Sequence, residues 1–187
     1  MADEGLAPSL LLAMPQLDDP NFNRAVVLLC RHTDEGALGF IVNRPVHVNA
    51  RELLALDPPI ESDATLTVWE GGPVSQERGW LLCRQAPSDA SNLEVCEGLY
   101  MSNSPTVLRR ILEGDPRNCE PDRSRLFLGY AGWGPGQLDS ELAMSSWLNA
   151  PLDLDLVFHT APEELWVRAI RSLGVEPTAI APAPGIH

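Results

Sequence analysis

The chain has 187 residues, 44% of them hydrophobic, and its 13 basic residues, all arginine, face 26 acidic ones, for a formal net charge of −13. This length suits one domain with a sizeable core. The charge argues against direct DNA binding, because duplex binders draw most of their non-specific affinity from basic groups that neutralise phosphates. The one arginine-rich stretch, 109–125, is interrupted by acids, which is typical of a mixed, solvated surface.

Membrane, secretion and disulfide signals are weak. No apolar run approaches the roughly 20 residues of a membrane-spanning helix, and residues 1–5 are acidic where a secretory signal would be basic. We therefore expect a cytoplasmic protein without a membrane partner. Cys30, Cys83, Cys96 and Cys119 form no C-x-x-C pair, so we expect reduced thiols and neither a zinc ribbon nor a disulfide framework.

The first half of the chain reads mainly as strands. Turn residues at 33–36 predict a hairpin with a loop of four or five residues between the second and third strands. Asn49 followed by Glu52 predicts a short capped helix that ends before Pro58. The predicted strands are 6–13, 25–30, 38–42, 66–69, 80–84 and 93–101.

The second half alternates helices with strands. Ser104, Pro105 and Gly114 bracket a helix, and Thr160 with Glu163 predicts a capping box for the last one. Further predictions are a strand at 125–131, a helix at 137–147 and a strand at 154–159. The apolar faces predicted for the two bracketed helices comprise Val107, Leu108, Ile111 and Leu112, and then Leu165, Trp166, Ala169, Ile170 and Leu173.

These elements predict an α+β domain over residues 1–175. Residues 176–187 are rich in proline and alanine, and we expect a disordered tail there.

The glycine-rich run 127–138 resembles a strand, a turn and a helix start, which is the arrangement of an anion cradle. Its spacing fits neither the P-loop nor the dinucleotide fingerprint, and the chain has no lysine for a phosphate. Asp139 and Glu141 would occupy the first helical turn and satisfy its positive end. We therefore expect a structural turn that buries Trp133.

Cys30 and His32 would face the same side of one strand, which raises the hypothesis of a reactive thiol paired with an imidazole. The apolar run around Cys30 argues against it, because such surroundings raise a thiol pKa. The histidines lack metal-ligand spacing, so the sequence predicts no metal site, no cofactor and no catalytic residue set.

Two predicted strand ends carry turn residues that could line a cleft. Asn43, Arg44 and Pro45 end one strand, with Arg44 as a candidate anion clamp, and Gly71 and Gly72 end another. An ordinary pair of turns explains the same residues equally well. The candidate pocket comprises Asn43, Arg44, Pro45, Gly71, Gly72, Trp133, Gly134 and Gly136.

Taken together, several motifs resemble the YqgE/AlgH family of bacterial proteins. They run in order over about 6–175. The motifs are 12–15 with Leu17 and Asp19; Phe22 and 24–30 with His32; 36–39 leading to Asn43, Arg44 and Pro45; 71–74 with Arg78 and Gly79; 129–138 with Glu141; Trp147 and Leu148; and 166–174.

The resemblance implies an α+β fold with a bifurcated mixed sheet, part of it closed into a small barrel, flanked by helices. One branch of the family is described as regulating alginate synthesis at the level of transcription, and the family has no established ligand or reaction. Arg31 stands where many relatives carry an acid, and Gly134-Pro135 replaces bulkier or charged residues.

Three functional hypotheses follow. The first is a regulatory or interaction protein that acts through a protein or small-molecule partner without direct nucleic-acid contact. The second is a small-molecule binder or enzyme that uses a cleft around Arg44, Gly71 and Trp133. The third, a redox sensor at Cys30, requires a thiol pKa well below about 8.5.

Overall fold

The computed structural model describes residues 5–54, 57–61, 64–88, 92–115, 117 and 119–180. The chain packs as two compact units. Unit 1 takes the chain up to Arg44 and again from Ala131 onward, and unit 2 spans Pro45–Tyr130. That residues 1–175 act as one domain stays a prediction.

The described residues form ten strands and five α-helices. The strands are β1 (Ser9–Ala13), β2 (Val26–Thr33), β3 (Gly36–Ile41), β4 (Pro45–Asn49), β5 (Thr67–Glu70), β6 (Val74–Cys83), β7 (Leu93–Cys96), β8 (Leu99–Ser102), β9 (Ser124–Trp133) and β10 (Trp147–Pro151). The helices are α1 (Ala50–Leu54), α2 (Pro105–Leu112), α3 (Gln137–Ala143), α4 (Leu154–His159) and α5 (Pro162–Ser172).

Unit 1 is built on antiparallel strands in the order β10-β1-β2-β3, with the last three residues of β9 paired to β3. Strand β1 is buried throughout, and β2 is apolar and buried over its first four residues. Helix α5 packs on β1, where the indole Nε1 of Trp166 donates to the Ala13 carbonyl at 2.9 Å. A strand covered on both faces explains these continuous apolar runs.

Unit 2 contains the parallel pairing that makes the sheet mixed. The earlier part of β9 pairs antiparallel with β6 and parallel with β5. Strands β8 and β7 follow β6, and β4 pairs with β5. The predicted α+β class with a mixed sheet is confirmed, and β9 is where the sheet divides, since its two parts pair in different units.

The core of unit 2 lies between α2 and one face of this sheet. Helix α2 begins as predicted, with the Ser104 hydroxyl accepting from the Val107 N–H and Pro105 in the first turn. Its four predicted apolar residues are all buried. The core residues that face it include Leu81, Cys83, Cys119 and Leu126.

The largest correction concerns residues 154–159, predicted as a strand and observed as α4. Asp153 caps this helix, because its Oδ1 accepts from the Leu156 N–H at 2.9 Å. Of its own residues only Val157 is buried, so the short apolar block is a half-exposed helix and not a covered strand.

The neighbouring helix boundaries also differ from the predictions. The predicted capping box fails, because Thr160 ends α4 and α5 starts after Ala161 without a side-chain cap. The helix predicted over 137–147 ends at Ala143, and Trp147 begins β10, an unpredicted strand beside β1.

Three strand predictions need correction as well. Residues 93–101 form two strands, β7 and β8, because Gly98 turns the chain with φ +77°. The β2–β3 hairpin is confirmed, but Thr33 pairs with Gly36, so its loop has two residues. Strand β4 was not predicted.

In the predicted tail, Pro177–Ala179 forms a short 3-10 helix, and 181–187 lie outside the described residues.

Candidate functional site

The part of the glycine-rich run in unit 1, residues 131–138, forms the centre of a closely packed aromatic cluster. The indole Nε1 atoms of Trp133 and Trp147 both donate to Glu141 Oε2, at 2.9 and 2.8 Å. Gln137 Nε2 donates to the other carboxylate oxygen at 2.9 Å. The rings of Phe22, Trp133 and Trp147 pack together with centroids 5.3–6.4 Å apart.

The turn itself is engaged in local structure. Gly136 adopts a left-handed conformation, φ +68°, at the start of α3. The Gly134 N–H, which would face an anion, donates to Gln137 Oε1 at 3.0 Å. The run thus positions Trp133, which is 7% exposed, over the unit 1 core.

Asn43 and Arg44 brace the loop that precedes β2. Asn43 Oδ1 accepts from the Val26 N–H at 3.0 Å, and its amide donates to the Arg24 carbonyl at 2.9 Å. The Arg44 guanidinium donates to the backbone carbonyls of Asn21 and Asn23. Backbone carbonyls therefore occupy donors that an anion clamp would use.

Gly71 and Gly72 lie against another backbone segment of unit 2. The Gly71 N–H donates to the Leu128 carbonyl at 2.8 Å, and a Cβ on Gly71 would lie 2.3 Å from the Gly129 carbonyl oxygen. Gly129 itself has φ +69°. Glycine is required here because two backbones touch. Pro45 opens β4 opposite Trp69.

The eight candidate-pocket residues are thus divided between the units. Asn43, Arg44, Trp133, Gly134 and Gly136 belong to unit 1, whereas Pro45, Gly71 and Gly72 belong to unit 2. Their convergence on one cleft stays a prediction.

A β-bulge interrupts the alternation on which the Cys30–His32 hypothesis rests. The β2–β3 register shifts between Leu29 and Arg31. Cys30 Sγ contacts the Leu28 carbonyl at 3.7 Å. His32 Nδ1 accepts from the Leu6 N–H at 3.2 Å, and its Nε2 lies 3.5 Å from Asp139 Oδ2. The imidazole is therefore engaged by partners other than the thiol.

Sequence reasoning missed a buried pair of thiols in unit 2, Cys83 and Cys119. Both lie in the buried core of unit 2, where each thiol shifts the pKa of the other. The interaction with the Cys83 thiol, helped by Ser124 and by backbone N–H groups of Gln85 and Arg84, lowers the pKa of Cys119 to about 6. The same interaction and burial raise the pKa of Cys83. The Arg123 carbonyl, 3.2 Å from Cys119 Sγ, accepts only from the neutral thiol and works against this ionisation.

Unit 2 also contains a cavity of about 190 Å³ beside the start of α2. Leu81, Leu108 and Leu126 form apolar walls, and Ser102 and Asn103 add polar groups. No spacing motif marks it, because the strands β6, β8 and β9 and two helices supply its residues. The described lining residues are Leu54, Gly79, Leu81, Ser102, Asn103, Ser104, Pro105, Leu108 and Leu126.

The described part of the chain lacks both a metal-binding cluster and a membrane-spanning helix. It contains no group of three or more His, Cys, Asp or Glu side chains placed to hold a metal ion. None of its helices combines the length and apolarity required to cross a bilayer.

The known proteins that this chain is similar to point to the same family. The AlgH-like family model matches residues 10–178. A UPF0301 protein of Thioalkalivibrio sulfidiphilus is 38% identical over 183 residues, covering 96% of each chain. A UPF0301 protein of Shewanella oneidensis is 42% identical over 179 residues, covering 92% of this chain and 94% of its own.

Two solved structures are similar to this fold. The solution structure of the AlgH protein from Pseudomonas aeruginosa has TM-score 0.77 and 36% identity, covering 100% of this chain and 98% of its own. A crystal structure from Corynebacterium diphtheriae has TM-score 0.69 at 22% identity, with 92% and 89% covered, and supports the fold alone. The motif resemblance is confirmed, and the chain belongs to the AlgH-like, UPF0301 family.

Proposed function

We propose that this protein is a regulatory or interaction protein, which acts through a protein partner or a small ligand and does not contact DNA directly. The family resemblance extends the proposal to transcription, with the protein acting on the machinery or on a regulator and not on the operator. Its net charge of −13 disfavours approach to a polyanion.

The observation that carries this proposal is the state of the arginine-rich stretch. Arg109 Nε lies 2.8 Å from Glu113 Oε1 on the same helix face. Arg117 binds the Asp115 carboxylate through two nitrogens, at 3.0 and 2.9 Å. Arg125 is 8% exposed and stacks 4.2 Å from the Trp69 ring centroid. These guanidinium groups are paired with carboxylates or buried, whereas a protein that binds in a DNA groove would present them to phosphates.

The small-ligand part of the proposal is supported by unit 2 and not by the predicted cleft. Arg44 and Gly71 have backbone partners that explain them structurally. The cavity beside α2 offers an apolar space with polar groups, which is the usual character of a small-molecule site.

Direct DNA contact is tested by fluorescence anisotropy with labelled duplexes at near-physiological salt. We expect no saturable binding below about 100 μM, the weak end of ordinary non-specific binding. Tight binding that weakens steeply with salt would contradict the proposal. The double variant R110A/R123A is the control, since loss of any observed binding there would assign it to the arginine-rich stretch.

The regulatory role is tested by transcript profiling of a strain that lacks the gene. We expect a defined set of transcripts to change and the wild-type gene to restore them. An unchanged profile under all growth conditions tried would overturn the regulatory role, whatever the anisotropy shows.

A further inference from the structure

The cavity of unit 2 has the size of a small organic ring. Its volume is about 190 Å³. A dry cavity of about 150 Å³ lined by apolar side chains is large enough to hold benzene. A ring with one short substituent therefore matches the space, and a nucleotide or a sugar chain exceeds it.

Gly79 leaves part of this space open within a strand. A Cβ built on Gly79 would meet only Leu126 Cδ1, at 3.3 Å, and both residues line the cavity. Any larger residue at this position of β6 would project over the same sheet face as Leu126. The cavity thus depends on the missing side chain of Gly79.

One polar group at the cavity, the Ser102 hydroxyl, is buried and lacks an acceptor in the described part of the chain. Ser102 is 2% exposed, and its Oγ accepts from the Ser104 N–H at 3.2 Å. Among the described residues the Ser102 hydroxyl hydrogen has no acceptor, and the amide of Asn103, an exposed residue, bonds to none of them and is open to water. A buried hydroxyl that cannot donate carries a free-energy cost that a ligand carbonyl would remove.

The walls favour a ligand without charge. None of the described lining residues is ionisable, and leucine side chains dominate. Moving a carboxylate into such surroundings costs far more than moving a ketone or an amide.

From these observations we propose that this cavity binds a small uncharged molecule with a ring-sized apolar body and one carbonyl group, whose oxygen accepts from the Ser102 hydroxyl and the Asn103 amide. The proposal rests on the small-ligand form of the proposed function and names its site and ligand class.

The test titrates the full-length protein with acetophenone and follows amide and leucine methyl shifts by NMR. We expect saturable, millimolar binding with shifts at Leu81, Leu108 and Leu126. Ethylbenzene, which lacks the acceptor, should bind about fivefold more weakly, and benzoate more weakly still. Benzoate binding tighter than acetophenone would overturn the uncharged class, and absence of shifts at these leucines would overturn the site.

Variants test the apolar walls of the cavity and its hydrogen-bond donors separately. Gly79→Val should abolish binding of both neutral probes, and Gly79→Ala should weaken it if the valine variant fails to fold. Ser102→Ala should lower acetophenone affinity about fivefold and leave ethylbenzene unchanged. Asn103→Ala makes the same comparison on the second donor.

Gly134→Val is the matched control in unit 1, where a Cβ would meet only Gln137 Oε1 at 3.9 Å. It should bind acetophenone as the wild type does, and loss of binding there would contradict the assignment to unit 2. If acetophenone does not bind, the proposed site is wrong, but the DNA-binding and transcript experiments are unaffected. The site and the proposed function can therefore be refuted independently.

Discussion

Unit 1 and unit 2 of this protein differ in how they satisfy buried polar groups and fill the space around them. In unit 1, one carboxylate, Glu141, satisfies two buried indoles and a glutamine, and aromatic rings fill the surrounding space. In unit 2, Ser102 keeps a buried hydroxyl with no acceptor among the described residues, beside a cavity of about 190 Å³. The difference teaches that Trp133 and Gly134 of the glycine-rich run are engaged in contacts that stabilise the fold, whereas the cavity that we propose as a ligand site lies in unit 2.

One strand glycine from each unit, Gly39 and Gly79, shows the same contrast. Gly39 in unit 1 is needed because a Cβ would lie 2.6 Å from the Leu28 carbonyl oxygen and 2.7 Å from Val27 Cγ1. Gly79 in unit 2 borders open space and a single flexible methyl group. A close-packed interior tolerates no added atom, whereas a cavity accepts one.

The largest expected effect is that of Glu141→Ala. It removes the shared acceptor and leaves two indole N–H groups of mostly buried rings without a partner, so we expect the free energy of unfolding to fall by about 3–4 kcal/mol. Urea denaturation followed by tryptophan fluorescence measures it.

Glu164→Ala is the helix control. It breaks only the exposed pair with Arg168 at 2.8 Å and should cost less than about 1 kcal/mol. Equal losses would refute the special role of Glu141.

Gly39→Ala should be the next most damaging change. Its methyl group collides with backbone as well as side chain, so we expect a loss of about 2–3 kcal/mol from overpacking. The same denaturation experiment measures it. An unchanged free energy of unfolding would show that the surroundings of Gly39 can accommodate a methyl group.

The thiol pair of unit 2 predicts that stability depends on pH. The pKa of Cys119 falls from an ordinary value of 9.0 to about 6 in the folded protein. Between pH 6 and pH 9 the unfolded chain therefore holds more protons, and the free energy of unfolding rises with pH over this range. Above pH 9 the raised pKa of Cys83 reverses the trend.

Thiolate absorbance and urea denaturation across pH 5–10 measure this dependence. Cys119→Ser should remove the rise between pH 6 and pH 9. Cys96→Ser is the control, because burial raises the pKa of that thiol instead. A Cys119→Ser profile identical to the wild type would contradict the coupled pair.

The smallest expected effect is a gain from Gly79→Ala. Alanine reduces the freedom of the unfolded chain and fills part of the cavity, so we expect a gain of about 0.5–1 kcal/mol in the free energy of unfolding. The opposite sign from Gly39→Ala is the informative result. A loss at both positions would mean that the cavity has no room for a methyl group.

Local signals predicted the parts of the fold that are determined locally. Ser104, Pro105 and Gly114 bracket α2 because caps act within one turn, and the β2–β3 hairpin depends on its own turn. Residues 154–159 were mispredicted, since a short apolar block fits a buried strand and a half-exposed helix alike. The N-cap Asp153 was the overlooked signal.

The sites show where sequence reasoning ends. The burial of Trp133 followed from the glycine-rich run, but its partner Trp147 was predicted to end a helix and instead begins β10. Cys83 and Cys119 meet only through the packing of β6 against the segment before β9, and no spacing rule connects them. The cavity borders Gly79, which pairs with Leu128 and whose missing Cβ would meet Leu126 Cδ1, and strand register sets this relation.

The central claim is that the ligand site lies in unit 2, whereas the part of the glycine-rich run in unit 1 is structural. Its most direct test is the set of intermolecular NOEs from bound acetophenone. We expect contacts from the probe to the methyl groups of Leu81, Leu108 and Leu126, present in Gly134→Val and lost in Gly79→Val. NOEs to the indole of Trp133, or contacts that survive in Gly79→Val, would contradict it.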